Sequence, residues 1–560
     1  MDKIKEISKL FQEKKYSELI FTIESSFKEI PPEILNILAI SRLLNKKDAL
    51  TLKTAINEFR DVYLKEKKSQ IGLNGLINFL NSSADYYDLL GYHDTSNSAN
   101  NFLKDGINYF QEAENNFGYE PRLISVAIRV FKRLNYLDVV LNFYKKLFEN
   151  KDITLSMFCS WIFFNNYKNI WDQQDYLNYS KLIEKYLPQI PQEKLSNFPQ
   201  GKNKKIKIGF LSSDINKSHS ITFFLKSVLN SYDKSIYEIY LILNNDKEDF
   251  GTENFKKLVD HTHNIANQND IDAINLIRKL NLDIVFDLMG VTSTNRVALF
   301  SYRLAPTQIS WLGYCNTMGI KNMDYLISDP NLIFPEEKEL YSEKILYLPS
   351  IWNCHSGLTL ERIEIEAPVI KNKFITFGSF NNYNKINDDV IEVWLNILKK
   401  IPSSKLILKS STKKENDKFK NFLQKENLDK SVIFLPTAKN FEDHMNLYKN
   451  IDIALDTFPW NGVTTSFEAI WMGIPVVTMK GYNFNSRCGE SINKNIQMSE
   501  LIAENKEDYV SKVLDLTSDI KKLSNIRKQI FNSALSSVLF DTQKFSNDFF
   551  NLIKNTQTKH

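Results

Sequence analysis

Two rhythms of apolar positions divide the chain. From Met1 to about Pro199 apolar residues recur every three or four positions, glycines are few and strand-like alternation is nearly absent, which predicts an all-α region. Beyond it the period changes. The runs "IKIGFLSSD", "YEIYLILNN", "LDIVFDLMG" and "QISWLGY" are short and β-rich, and amphipathic segments such as "IDAINLIRKLN" separate most of them. A second series follows "EAPVIKNK", with strands expected at "FITFGSF", "KLILKS", "VIFLPTA", "IALDTF" and "PVVTM" and helices at "DVIEVWLNILKKI" and "FEDHMNLYKNI". Strands alternating with helices imply parallel sheets built from βαβ crossovers. The expected fold class is therefore α/β, two doubly wound lobes preceded by an all-α region. In such sheets ligands collect at the carboxyl ends of strands, and two sets of ends could face each other across a cleft.

Within the helical region, "KKYSELIFTIESSF", "KKDALTLKTAINEF" and "LNYLDVVLNFYKKLF" each place an aromatic or Asp-Ala start before an amphipathic helix, like the second helix of a tetratricopeptide unit. The first two stand at about the repeat period and the third is out of phase. A degenerate helical solenoid is expected, with a plain bundle as the alternative. "NFPQGKNKK" at 197–205 combines Pro, Gly and Lys as domain junctions do. The expected domains are 1–200, 201–365 and 366–560.

Composition narrows the function classes. A chain of 560 residues exceeds one core. Its 71 basic residues are nearly balanced by 67 acidic ones, so no global field would hold it on nucleic acid or anionic lipid. The longest apolar run, near "MFCSWIFF", is too short to span a bilayer, and the amino terminus lacks the apolar core of a signal peptide. Cys159, Cys315, Cys354 and Cys488 form no CxxC pair and fit a reducing compartment. A cytoplasmic protein with neither nucleic-acid nor membrane partners is the expectation.

The stretch "DTFPWNGVTTSFEAIWMGIPVVT" carries the first candidate chemistry. Strand "IALDTF" runs into "PWNG", and Thr464 and Thr465 fall where the next helix starts. Unpaired amides and the helix dipole there attract anions, and threonine hydroxyls add donors suited to a diphosphate. Glu468 shares their helix face and could accept hydrogen bonds from a ribose. Thr465-x-x-Glu468 is also a capping box, sufficient by itself to start a helix. Both readings stand.

Elsewhere, "GSFNNYNKI" places Asn381, Asn382 and Lys385 in a loop before a helix, where a lysine could neutralise charge on a departing diphosphate or simply be solvated. His444 lies in the helix after "FLPTAKNF" and could touch a nucleotide or be structural. "SSDINKSHSITFF" puts Asp214 and His219 after the first strand, where either could take the proton of an attacking hydroxyl. Gly290 would let a backbone approach a ligand closely. No GxGxxG follows a strand and no GxxxxGK[ST] occurs. "HTH" at 261–263 and "DID" at 270–272 sit near a helix start, where capping accounts for the aspartates, and no metal is assigned.

Taken together, "IGFLSSD", "HSITFF", "RLAPTQISWLGYCNTMG", "MDYLISD", "YSEKILYLP", "SFNNYNKI", "LDTFPWNGVTTSFEAIWMGIPVVTM" and "SELIAENKEDYV" resemble the SPINDLY and O-GlcNAc transferase group of GT-B glycosyltransferases, in family order over about 206–510. The resemblance implies two Rossmann-like lobes, inversion at the anomeric carbon, no metal requirement and no cofactor beyond a nucleotide-sugar donor. By motif match Lys385 takes the catalytic lysine position. Ala438, His444, Thr464 and Thr465 match nucleotide or diphosphate contacts, Asn382 stands where relatives often carry glutamine, and Glu468 takes the ribose position. Asp214 and His219 match the loop of proposed proton acceptors, and Gly290 the glycine near the donor. The implied reaction moves a sugar onto Ser/Thr of a protein or peptide acceptor, with UDP-GlcNAc as first choice of donor. Glu468 in place of the Asp typical of O-GlcNAc transferases, and "HSITFF", keep GDP-fucose open. Asparagine or small-glycan acceptors, and a decayed interaction scaffold, are the remaining alternatives.

Overall fold

The helical rhythm of the first part of the chain is realised in a computed structural model, which describes residues 2–90, 98–188, 205–217, 219–358, 362–410, 417–436, 438 and 440–557. One compact unit is Met1–Ile153. Its three quoted segments each form a helix, Tyr16–Ser26, Ala49–Lys65 and Leu137–Glu149, and each follows another helix after a short turn. Asp48 starts the second of them by accepting from Thr51 N at 2.8 Å. Glycine on helix Gln70–Leu90 permits close packing: a Cβ at Gly75 would lie 2.7 Å from Val62 Cγ1. Arg42 links three helices through Glu24 and Glu58.

The other unit is Thr154–Ser411 with Asp417–His560. It includes helices Leu155–Asn165 and Gln173–Lys181, so the division falls at Ile153 rather than near residue 200. The reason is bonding into the sheet-bearing region. Gln173 Nε2 donates to Asn316 Oδ1 at 2.9 Å, Asn485 Nδ2 to Asn166 Oδ1 at 2.6 Å and Asn387 Nδ2 to Tyr167 O at 3.1 Å. The junction expected at 197–205 lies outside the described residues up to 204.

Two parallel sheets form the centre of this unit. Strands β1 (Ile206–Ser212), β2 (Tyr237–Leu243), β3 (His261–Asn264), β4 (Ile284–Asp287), β5 (Thr307–Ser310), β6 (Tyr325–Ser328) and β7 (Lys344–Tyr347) lie in the order β3-β2-β1-β4-β5-β6-β7. Strands β8 (Thr376–Ser379), β9 (Lys405–Ser410), β10 (Val432–Pro436), β11 (Ile453–Leu455), β12 (Val476–Met479) and β13 (Ile502–Ala503) lie in the order β10-β9-β8-β11-β12-β13. Every pairing is parallel. Strand order reverses between β1 and β4 in the first sheet and between β8 and β11 in the second. Those two points are where a doubly wound sheet opens a crevice at its carboxyl edge.

The sequence does not mark β3, β6, β7 or β13 as strands, and the last helix also departs from expectation. "HTH" forms edge strand β3 instead of lying beside a helix start, because its backbone completes a ladder with β2 while its polar side chains stay partly exposed. The last helix, Thr542–Gln557, was expected with the 366–560 lobe and packs on the first sheet. Phe549 lies 4.7 Å from Trp311 and 5.5 Å from Phe286, and Tyr237 OH donates to Phe550 O. Its aromatic stripe finds there an apolar face it could not fill alone.

A polar clasp also joins the lobes. Arg487 from the second makes a bidentate pair with Glu337 of the first at 2.6 and 2.8 Å, and Ser491 Oγ donates to Asp329 at 2.7 Å. All four cysteines are free and buried. Among the described residues no helix is long and apolar enough to cross a membrane.

Candidate active site

The strand-end turn after β11 is organised by Asp456, which is buried. Its Oδ1 accepts from the amides of Thr457 at 2.8 Å and Gly462 at 2.6 Å, and its Oδ2 from Thr478 Oγ1 at 2.7 Å. Folded back in this way, the Pro-Trp-Asn-Gly turn delivers the chain into helix Thr464–Trp471. No side chain caps that helix. The capping box is therefore not formed: Thr465 Oγ1 donates instead to Asn381 Oδ1 at 2.8 Å, and Glu468 turns elsewhere. Asn381 in turn approaches Asp456 Oδ1 at 3.4 Å through its Nδ2. Burial pushes the Asp456 carboxyl up to about 6, against the lowering effect of its donors and of Lys385.

Lys385 ends a short 3-10 turn, Tyr383–Lys385, at the carboxyl end of β8. Asn382 starts the turn by accepting from Asn384 N at 3.0 Å and is itself exposed. The lysine Nζ donates to Asn461 O at 2.6 Å and lies 5.1 Å from the Trp460 ring centroid. Trp460 is stacked on Tyr167 at 4.8 Å and meets Phe163 edge-on at 5.2 Å, so the helical segment before the sheets builds this wall. Burial lowers the Lys385 ammonium from the ordinary lysine value, and the charge of Asp456 opposes that.

Behind the threonines, Glu468 accepts from Tyr448 OH at 2.9 Å and meets His444 Nε2 at 2.9 Å. Only 4% of Glu468 is exposed. Nδ1 of His444 has no partner among the described residues. Lys409, at the end of β9, is lowered by burial and feels the charge of Glu468. Ala438 is half-buried in the connection from β10 to helix Phe441–Leu447. A small pocket lined by Ser379, Phe380, Asn381, Asp456, Thr465 and Tyr448 opens among these groups.

In the first lobe, the loop after β1 holds Asp214 and His219 with Nε2 and Oδ1 3.9 Å apart, within ion-pair range and beyond a hydrogen bond. Asn216 Oδ1 accepts from His219 N at 3.0 Å and orders the loop. Gly290 has φ +60, and a Cβ there would meet Tyr314 Cβ at 2.2 Å. Its glycine thus satisfies a packing need. Asp287, buried just before it, accepts from Met289 N and Gly290 N, and burial pushes it up to about 7.

The lobes meet beside these loops. Phe224, in helix Ile221–Leu229, lies 5.2 Å from Phe467, and Phe223 lies 5.5 Å from Phe441. The helix after the Asp214–His219 loop therefore touches both helices that carry His444 and Glu468. Phe223 also stacks on His355, whose imidazole burial lowers to about 4. Lys385, Thr464, Thr465, His444 and Glu468 converge at the carboxyl ends of β8 and β11 and their neighbours, while Asp214, His219 and Gly290 occupy the corresponding edge of the first sheet. Of the residues weighed as metal ligands, Asp270 pairs with Arg296, His261 with Glu238, and Asn269 caps the helix that holds Asp272.

Sequence reasoning passed over Asp456, Trp460 and Tyr448. A signal for the first was present, since an acidic residue closes an otherwise apolar strand immediately before a turn.

A profile of Glycosyl transferase family 41 matches residues 181–357 and 366–549. A probable UDP-N-acetylglucosamine--peptide N-acetylglucosaminyltransferase SPINDLY from Solanum lycopersicum is 33% identical over 347 residues, covering 60% of this chain and 37% of that protein. The Arabidopsis thaliana protein of the same description is 32% identical over 333 residues, 58% and 36% of the two chains. This chain thus spans little more than a third of the length of the curated relatives it matches. Among solved structures, a mutant of the Thermobaculum terrenum O-GlcNAc transferase superposes with a TM-score of 0.79 over 94% of this chain and 98% of its own, at 20% identity. That likeness shows a shared GT-B fold. With the profile lying across both sheets and the uncapped helix terminus between β11 and β12, the chain belongs to glycosyl transferase family 41.

Proposed function

We propose that the protein is an inverting glycosyltransferase that moves N-acetylglucosamine from UDP-N-acetylglucosamine to serine or threonine hydroxyls of a polypeptide. The anomeric carbon's bond to the diphosphate breaks with its electron pair leaving on UDP, and a bond to the acceptor oxygen forms on the opposite face. The acceptor proton passes to the Asp214–His219 loop. Lys385 meets the charge that grows on the leaving diphosphate, and the Thr464–Thr465 terminus supplies amides and hydroxyls to the same group. His444, Glu468, Asn382 and Ala438 form the nucleotide side, Gly290 the first lobe's approach to the donor, and Met1–Ile153 a surface for protein partners. One observation carries the reading. A partly buried ammonium and an uncapped helix terminus stand together where strand order reverses, and the fold by itself needs neither. The printed descriptions of the plant relatives favour UDP-N-acetylglucosamine, while Glu468 keeps GDP-fucose as a second donor.

The test incubates the protein with a panel of nucleotide-sugars and Ser/Thr peptides and reads the products by mass spectrometry. N-acetylhexosamine on the peptide is expected. Lys385→Ala should lower kcat by about 10²–10³-fold with an unchanged circular dichroism spectrum. Transfer only from GDP-fucose moves the assignment to the second donor, and full turnover by Lys385→Ala removes the role of the lysine.

A further inference from the structure

We propose that Asp456 is a positioning residue for sugar transfer: its carboxylate fixes the amide of Gly462 and, through Asn381, the hydroxyl of Thr465, and sets a negative charge in the turn whose Asn461 carbonyl accepts from the Lys385 ammonium. This rests on the reading of the site as a glycosyltransferase centre.

Geometry separates the shape of this side chain from its charge. The turn requires an acceptor for Thr457 N and Gly462 N, and both bonds fall on Oδ1. Among the described residues the other oxygen accepts from the hydroxyl of Thr478, which can rotate to donate or to accept. An asparagine would therefore hold the turn equally well, with its amide group donating to a reversed Thr478 hydroxyl. What it could not supply is the charge. A buried carboxylate opposes folding unless it is compensated, so its presence calls for a partner that needs it, and Lys385, bonded to Asn461 O beside the Gly462 amide that Asp456 holds, is the cation whose charge acts on it.

Other ionisable groups lie near the pair. Tyr509, from helix Lys506–Ser518, donates to the carbonyl of Asp456 at 3.0 Å, and burial raises its phenol. The thiols of Cys315 and Cys488 face Lys385, and burial raises that of Cys488. Glu490, on the helix with Cys488, is paired with Lys494. Among the described groups, Asp456 is thus the carboxylate that acts on Lys385.

Two consequences follow for the pH profile of kcat. Protonation of Asp456 near 6 produces an acidic limb, and removing its charge lets Lys385 lose its proton at a lower pH, which moves the basic limb down. Asp456→Asn tests the second. Its kcat should fall about tenfold or more at pH 8, with donor KM within about threefold of wild type and the basic limb displaced to lower pH. Thr478→Val tests the first while leaving the turn alone. It removes one donor to the carboxylate, raises the pH at which Asp456 protonates, and should carry the acidic limb upward.

A uniform loss of activity with both limbs in place would mark Asp456 as purely structural and overturn the inference, as would unaltered kinetics. Should Asp456→Asn fail to fold, Thr478→Val decides by the same criterion. Wild-type protein that transfers no sugar from any donor overturns the glycosyltransferase reading and this inference with it. Active wild type with unmoved limbs in the variants overturns the inference alone.

Discussion

Gly290 reads in the sequence as a point of close approach to a ligand, and its geometry ties it to a neighbouring side chain. The left-handed backbone and the Tyr314 contact mean that alanine there would strain the chain and collide at once. Gly290→Ala should lower stability by roughly 2–5 kcal/mol, seen as a lower urea midpoint. An unchanged midpoint would show that neither the left-handed backbone nor the Tyr314 contact requires glycine there. Glu468 teaches a related lesson. Its place behind the threonines was legible from helix spacing, but its partners were not, because His444 and Tyr448 come from a different helix and the turn after it. The same holds for Lys385. The loop was legible, whereas the desolvation and the Asp456 charge that act on its proton affinity come with β11, three strands later in the chain and beside β8 in the sheet.

Among elements, apolar runs identified most of the central strands and passed over β3, β6, β7 and β13. β1, β2, β4 and β5 read as apolar runs, and all but the first two residues of β1 and one of β2 are buried. β3 carries His-Thr-His-Asn and is recruited by backbone pairing at an edge, a property that no side-chain pattern reports. The clasp between lobes is equally hidden. Arg487 and Glu337 are 150 positions apart, and the guanidinium also donates to Leu332 O at 3.2 Å and lies 4.2 Å from the Phe334 ring. Removing one member of such a buried pair leaves the other charge uncompensated. Arg487→Ala should therefore cost roughly 3–5 kcal/mol, and Arg487→Ala with Glu337→Ala less than the sum of the two singles. Additive losses in a double-mutant cycle by chemical denaturation would contradict that coupling.

For the whole molecule, buried ionisable groups set how stability depends on pH. Asp287 and Asp329 are each pushed up to about 7 by burial and Asp456 to about 6, all above their value in the unfolded chain. Each contributes stability that is complete at acidic pH and is lost as the pH rises through its folded value. His355 acts in the opposite sense. Lowered to about 4, it favours the folded state increasingly as the pH rises from 4 to about 6.5, and above that its effect is constant. The urea midpoint should accordingly fall between pH 6.5 and 8. Asp287→Asn with Asp329→Asn should flatten that decline, and a wild-type midpoint that stays level across the window would show that these carboxyls ionise freely in the folded state.

Legible in the chain alone were most of the helices, the apolar central strands, the two doubly wound lobes and the loops in which candidate side chains lie. All of these depend on residues close together in the chain, through periodicity and turn chemistry. Tertiary structure alone decided that the helix terminus is uncapped, that Asp456 and Lys385 share one buried environment, that helices from 155 onward wall the site, and that the last helix returns to the first sheet. Those outcomes depend on desolvation and on distances between segments remote in the chain, and such quantities exist only once the backbone has closed around them.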